Sequence, residues 1–172
     1  VSALIFVISL PLRFSYISPS VTRAVGFSPE EMLTISLETL LTPDSLKLVT
    51  TTLMEEFALE QNGAKDPSRV RTLQLEANRK DGSKIWLESK TSFLRGPDDK
   101  PCGILGGARD ISGRKRAEDA LRESESKYRQ LVNHATEGIF IWQGGKIQFA
   151  NPRMQQLLGY SMEELTNTSF AS

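Results

Sequence analysis

Residues 14–37, FSYISPSVTRAVGFSPEEMLTISL, realign on residues 147–170, IQFANPRMQQLLGYSMEELTNTSF, at a constant offset of 133 positions. Pro19 falls on Pro152, Gly26 on Gly159, Ser28 on Ser161, and the Glu30-Glu31 pair on Glu163-Glu164. Tyr16, Val25 and Phe27 meet Phe149, Leu158 and Tyr160, so apolar positions are kept as well. A chain that writes one supersecondary unit twice reads as tandem modules joined in line. That organisation constrains fold and function more than any single residue does.

Apolar periodicity and turn residues outline the first module. Residues 5–8 and 13–18 predict two short strands around Leu10-Pro11-Leu12, most simply a hairpin. Ser18-Pro19 reads as the N-cap and first position of a short helix running to Gly26, whose missing Cβ suits a left-handed end. Ser28-Pro29-Glu30-Glu31 repeats the start signal, with Glu31 placed to close a capping box. A third start lies at Thr42-Pro43-Asp44, after which Leu46, Val49, Leu53 and Phe57 recur at three-to-four spacing until Asn62-Gly63. From Val70 the period falls to two, with Leu73, Leu75 and Ala77 on one face, and Lys80-Asp81-Gly82 turns the chain into a strand over residues 83–93. Residues 102–112 supply a last strand, in which Gly103, Gly106, Gly107 and Ala108 permit close approach of a helix or ligand. The expected order is ββααα followed by βββ.

Beyond Ser112 the composition turns charged and helix-favouring. Ala117, Leu121, Ser124, Tyr128, Leu131 and Ala135 step by four and three, the seam of a short coiled coil with one polar position. This helix either pairs with a partner or lies as a lone amphipathic helix on its own domain. A second module restarts at Gly138, turns at Gly144-Gly145 and continues over residues 146–150, with no counterpart of the Thr42 helix or the three strands after it. The expected segments are a domain over 1–112, a linker helix over 113–135, and the N-terminal half of a second domain over 136–172, whose bare sheet edges call for loose order, a swap or a covering partner. The apolar run at residues 1–10 is too short to span a membrane and follows no Lys or Arg, so it reads as a strand. Because the chain opens on Val, it is expected to belong to a longer protein.

Lys plus Arg equals Asp plus Glu at 21 each, so the chain lacks the basic excess that draws phosphate backbones, and nucleic acid is not an expected partner. The single cysteine, Cys102, cannot form an internal disulfide and fits a reducing, cytoplasmic setting. His134 is the only histidine, too few ligands for a metal site. The Gly-Gly pairs at 106 and 144 have no Lys-Ser/Thr after them and do not open a helix, so no nucleotide cradle is expected.

Three stretches in order resemble the PAS domain family of two-component sensor proteins, with its C-terminal PAC segment. They are Tyr16-Ile17-Ser18-Pro19-Ser20 with residues 25–31, Arg79-Lys80-Asp81-Gly82-Ser83 with Ile85-Trp86-Leu87-Glu88, and Gly107-Ala108-Arg109-Asp110-Ile111-Ser112 before the charged helix. The resemblance covers residues 3–112 as one nearly full domain and 127–172 as the first half of another. It implies an α+β fold, a five-stranded antiparallel sheet with short helices on one face, that senses, dimerises or relays and is not itself an enzyme. It further implies that Asp110, Ser112 and Arg114 couple the last strand to the signalling helix, Asp110 pairing with the basic Arg114, and Ser112 standing where the family has Thr. Asp110 and Ser112 would cap a helix start in any context as well.

Against the same family pattern, haem is disfavoured because residues 42–61 carry no histidine, and flavin–cysteine photochemistry because Cys102 stands at a strand entrance without the flanking residues. His134 lacks the acidic neighbour and following proline of a phosphoacceptor helix, and reads as structural. No cofactor is therefore expected. Leu53, Phe57, Leu73, Leu75, Ile85, Leu87 and Ile104 line either a small-molecule pocket or a filled core. Trp86 alternates onto the face opposite Ile85 and Leu87, where a second protomer or the linker helix is expected to cover it. The expected function is a regulatory input relaying a signal through the linker helix to an output domain, above all a histidine kinase. The alternatives are a ligand-free dimerisation spacer or the input of a cyclic-dinucleotide signalling enzyme. The expected partner is a second copy, joined through Leu121, Tyr128 and Leu131 of the helix and the outer sheet face around Trp86.

Overall fold

The computed structural model describes residues 3–10, 12–63 and 66–167; Val1, Ser2, Pro11 of the expected first turn and Phe170 at the end of the repeat lie outside the described residues. The chain divides after Lys115 into two compact units. The first holds β1 (Leu4–Ser9), β2 (Arg13–Ile17), α1 (Val21–Val25), α2 (Pro29–Met32), α3 (Leu37–Leu40), α4 (Pro43–Gln61), β3 (Arg71–Asn78), β4 (Lys84–Arg95) and β5 (Pro101–Asp110). Helix α5 (Ser112–Asn133) leaves β5, and the second unit continues with β6 (Phe140–Gln143), β7 (Lys146–Ala150), α6 (Pro152–Leu158) and α7 (Met162–Asn167).

The α+β expectation holds: five strands form one antiparallel sheet in the order β2-β1-β5-β4-β3. Period-two alternation sends Leu4, Phe6 and Ile8 of β1, Leu75 and Ala77 of β3, Ile85 and Leu87 of β4, and Ala108 of β5 inward. There they meet Val21 and Val25 of α1, Met32 of α2, and Leu37 and Leu40 of α3 in one buried cluster, with Leu46 and Val49 of α4 packed against it.

Four local features differ from the sequence reading. Ser18 does not cap a helix: its Oγ accepts the Ile5 N–H at 2.9 Å, and α1 begins later, after Ser20. Helix α3 was not expected; Ser36 Oγ accepts from Thr39 N–H and starts it, so four helices precede β3. Thr42 precedes α4 without capping it, because its one hydroxyl proton is shared between Ser45 Oγ at 3.2 Å and the Glu76 carbonyl of β3 at 3.3 Å. Gly106 admits neither helix nor ligand. A Cβ there would lie 2.2 Å from Cζ of the Phe6 ring, which stands edge-on to Phe14 at 5.9 Å between centroids.

The second unit pairs β6 with β7 in a two-stranded antiparallel sheet, turned by Gly144 and Gly145 at positive φ. Ile147, Ala150 and Leu165 form its small core, flanked by Met154 and Met162.

Candidate functional site

The residues that join sheet to linker helix occupy one edge of the first unit. Strand β5 ends at Asp110, paired with Leu87. Beyond it, the Trp86 N–H donates to Ser112 Oγ at 3.0 Å, and the Trp86 carbonyl accepts from the Ile111 N–H at 2.9 Å. Ile111 and Ser112, at the root of α5, thus continue the β4 ladder with an amide and a hydroxyl in place of a strand. Asp110 Oδ1 accepts the Ser112 N–H at 2.8 Å, which holds the serine in that role.

The ion partners differ from those the family pattern implies. Asp110 Oδ2 lies 3.8 Å from Arg79 Nη2, and Arg114 Nη2 lies 4.0 Å from Glu88 Oε2, so Asp110 and Arg114 each turn to residues flanking or within β4. Glu88 is buried, and both its oxygens accept from Arg109 Nη2, at 2.8 and 2.9 Å. The Arg109 hydrogen bond holds the Glu88 carboxyl below the usual carboxylate range, outweighing the opposing effect of desolvation, with the Arg109 and Arg114 charges adding to it. Trp86 is half-buried, and the Lys115 ammonium sits 4.8 Å from its ring centroid, within cation–π range. The sequence reading named Asp110, Ser112, Arg114 and Trp86 but missed Glu88, Arg109, Arg79 and Lys115. The β4–β5 register places Glu88 directly opposite Arg109, and that hairpin register was the available signal.

A cavity of about 130 Å³ lies between the inner sheet face and the helices. Leu53, Leu73, Leu75, Leu87 and Ile104 line it as expected. Phe57 and Ile85 are not in its wall: Phe57 tilts against Phe93 at 5.1 Å, and Ile85 is fully buried in the packed core. One end of the cavity is charged. Glu56 Oε2 accepts from Arg69 Nη1 at 3.2 Å and Glu56 Oε1 from Arg71 Nε at 2.5 Å, while Glu60 takes Arg95 through two hydrogen bonds at 3.1 and 2.6 Å. Arg95 is held in its charged form above all by the Glu60 hydrogen bonds.

Along α5, Leu121, Tyr128 and Leu131 are 61%, 72% and 73% exposed. His134 follows the helix in an exposed turn, and the Cys102 thiol donates to the Leu94 carbonyl at 3.3 Å. Among the described residues no helix is long and apolar enough to cross a membrane, and no group of three or more His, Cys, Asp or Glu is placed to hold a metal.

An antiparallel sheet with helices over one face, a core cavity between them and a helix leaving the final strand define an α+β module. The family model described as the PAS fold matches residues 2–111, and a second, described as a PAS domain, matches residues 126–171. The chain belongs to the PAS family. It is 40% identical over 62 residues to sporulation kinase E of Bacillus subtilis, covering 36% of this chain and 8% of that protein. It is 27% identical over 124 residues to the sensor histidine kinase TmoS of Ectopseudomonas mendocina, covering 72% of this chain and 12% of that protein. The chain therefore spans about a tenth of the length of these curated relatives. Among solved structures, the PAS domain of a Colwellia psychrerythraea protein superposes with a TM-score of 0.52 at 24% identity, over 63% of this chain and 86% of that one. A sensory box histidine kinase/response regulator from Burkholderia thailandensis superposes with a TM-score of 0.56 at 23% identity, over 75% and 92%. A light-oxygen-voltage domain superposes at 0.53 and 19% identity, over 73% and 89%.

Proposed function

We propose that this chain is the cytoplasmic sensory input of a histidine kinase, and that catalysis resides in a part of that protein outside these residues. One observation carries the reading: both backbone groups of Trp86 are bonded at the root of α5, by Ile111 just before the helix and by Ser112, its first residue. Any shift of β4 relative to β5 then moves the root of the helix, because a hydrogen bond tolerates only a few tenths of an ångström before it weakens. A signal in the core of the first unit biases α5 between two settings, and α5 passes the bias to the output. No cofactor is needed for this relay, and neither haem nor flavin is proposed.

The active species is a dimer, joined through Leu121, Tyr128 and Leu131 of α5 with the outer sheet face near Trp86. Leu121, Tyr128 and Leu131 offer apolar area to water that a second helix would cover. The decisive test uses the intact parent kinase carrying Ser112→Ala or Asp110→Ala. Autophosphorylation should lock near one level and cease to respond to stimulus; unchanged, still-responsive output overturns the relay. Leu131→Glu should convert the dimer to monomer in sedimentation, and a dimer of undiminished affinity removes that part of the reading.

A further inference from the structure

We propose that Asn62, at the C-terminal end of α4, is a site of spontaneous covalent modification: the Gly63 amide nitrogen closes on the Asn62 side chain, expels ammonia, and water opens the ring to aspartate and isoaspartate. The reaction is independent of the sensory reading above and needs only a carboxamide, the next backbone amide and water.

Sequence narrows the candidates first, because no other asparagine precedes a glycine. A side chain on the following residue would crowd the closing ring, and at Gly63 there is none; even a Cβ built there would meet nothing within 4 Å. Asn62 and Gly63 are both exposed, and among the described residues nothing bonds the Asn62 carboxamide. Other candidates are held. Asn78 Nδ2 donates to the Thr39 carbonyl at 3.2 Å, and Asn151 is followed by Pro152, which has no N–H to react. Asp81-Gly82 could close the same ring by loss of water, but Asp81 Oδ1 accepts from the Ser83 hydroxyl at 2.6 Å and the Ser83 N–H at 2.9 Å. Those bonds keep the Asp81 carboxyl below the usual range, in the ionised form that resists attack.

The step balances without an oxidant or reductant. Hydroxide takes the Gly63 amide proton, the nitrogen bonds to Asn62 Cγ, and the Cγ–Nδ2 bond breaks as Nδ2 picks up a proton from water and leaves as ammonia. Water then splits the new Cγ–N bond, giving aspartate, or the bond from the same nitrogen to the Asn62 backbone carbonyl, giving isoaspartate. The folded chain holds this back. Asn62 lies at ψ 8°, which turns the Gly63 nitrogen away from Cγ, and the Gly63 N–H donates to the Glu60 carbonyl at 3.2 Å. Reaction waits for the last turn of α4 to open, and helix ends open more readily than their interiors. Glu60, in that turn, is fastened to Arg95 of β4 by two hydrogen bonds at 3.1 and 2.6 Å, so the Glu60–Arg95 pair sets how often it opens. The product puts a carboxylate at the negative end of the helix, and isoaspartate lengthens the backbone as well, so the modification loosens the turn that had delayed it.

The test incubates the full chain at mildly alkaline pH and follows its peptides by mass spectrometry, with fragmentation that separates aspartate from isoaspartate. Asn62 should convert ahead of Asn78, Asn133, Asn151 and Asn167, with isoaspartate among its products, while Asp81 keeps its normal linkage. Arg95→Met removes one end of the pair that fastens the last turn and should speed the conversion severalfold. Glu60→Gln loosens the same pair from the other side and serves as an independent second variant, with circular dichroism showing that each is folded. Another asparagine converting first would overturn the proposal, and so would aspartate alone at position 62, the mark of direct hydrolysis without a ring. Unchanged rates in both folded variants would overturn the hold by the Glu60–Arg95 pair. Because these are chemical readouts on the chain itself, they can fail while Ser112→Ala still alters kinase output, and the two readings stand or fall separately.

Discussion

In the first unit the Ile5 N–H donates to Ser18 Oγ at 2.9 Å and the Ile5 carbonyl accepts from Ser18 N–H at 2.8 Å; in the second, Ile139 makes the same two bonds with Asn151, both at 2.9 Å. Ser18 and Asn151 occupy one position of the repeat, so both copies clamp the start of their first strand with the residue before the helix-start proline. A hydroxyl has one proton to give, whereas an amide carries an acceptor and two donors. Ser18 therefore works through a relay, bonding Ser20 Oγ at 2.8 Å, which donates to the Ala3 carbonyl at 3.1 Å. Asn151 acts alone. Its Oδ1 also accepts from Met154 N–H at 2.9 Å, capping α6, and its Nδ2 donates to the carbonyls of Val132 and Glu137 at 2.9 and 3.0 Å. Helix α6 accordingly begins right after Asn151, while α1 waits until after Ser20. The asparagine also fastens the last turn of α5 to the second hairpin, a link within the second unit.

Burial separates the copies more sharply than bonding does. The hydrogen-bond register makes Phe140 the counterpart of Phe6, yet Phe6 is 8% exposed and Phe140 48%. Val25 is buried in the first unit and Leu158 exposed in the second. The first hairpin is closed over by β3, β4, β5 and α4, whereas β6 and β7 form a sheet of two strands. A hairpin pattern specifies which face is apolar; only further strands and helices decide whether that face leaves water.

The comparison can be broken most forcefully with paired alanines. Phe6→Ala should cost the first unit about 3–5 kcal/mol, while Phe140→Ala in this chain should stay within ~0.5 kcal/mol. Trp86 and Trp142 report the two units separately in single-tryptophan variants followed through denaturant. Equal losses would mean that Phe140 is covered in solution and that the contrast in burial does not describe the working protein.

A smaller difference should separate the clamps. Asn151→Ala leaves two backbone N–H groups and two carbonyls without their partner and should cost the second unit about 2 kcal/mol or more, whereas Ser18→Ala should cost the first about 1 kcal/mol. Amide exchange at Ile139 and Met154 should accelerate in Asn151→Ala and recover partly in Asn151→Ser, which restores an acceptor but not the donors. Full recovery by serine would show that the bonds to Val132 and Glu137 contribute nothing.

What the sequence made legible was local. Caps, turn glycines and apolar periods lie within a few residues of what they control, so Ser28-Pro29-Glu30-Glu31 and Asp81-Gly82 declared a helix and a hairpin that the structure contains. Ser18 and Thr42 look like caps by the same rules, but their hydroxyls are drawn to Ile5 and to Glu76, across 13 and 34 residues. Composition could not reveal that. The candidate site divides the same way. Asp110 was legible because it acts on the adjacent Ser112 N–H, whereas Ser112 Oγ accepts from Trp86, 26 residues away, a partner that no local rule names. Glu88 with Arg109, Asp110 with Arg79, and Glu56 with Arg69 and Arg71 were not, because only strand register and the return of α4 along the sheet bring them together. Phe57 fits the periodicity of the pocket-facing residues and yet pairs with Phe93, a contact that depends on the position of β4.

The finest contrast lies in two capping boxes that are nearly superposable. Ser28 N–H donates to Glu31 Oε2 at 2.9 Å and accepts Glu31 N–H on Oγ at 3.3 Å; for Ser161 and Glu164 the distances are 2.8 and 3.3 Å. Ser28→Ala and Ser161→Ala should each cost about 1 kcal/mol. Both glutamates are held below the usual carboxylate range, so each contribution is present above the unfolded-state value and is lost as pH falls through the folded-state one. The causes differ. Glu31 is lowered chiefly by its hydrogen bond to Lys80, whose Nζ lies 2.6 Å from Oε1, and Glu164 chiefly by the Ser161 backbone N–H. Salt screens an exposed ion pair far more than a backbone hydrogen bond. In carboxyl ¹³C titrations, raising the ionic strength or introducing Lys80→Met should lift the Glu31 midpoint toward the ordinary range and leave that of Glu164 where it was. A parallel rise of both under salt would mean that the box, and not Lys80, sets the charge of Glu31, and the two copies would then be electrostatically equivalent at this turn.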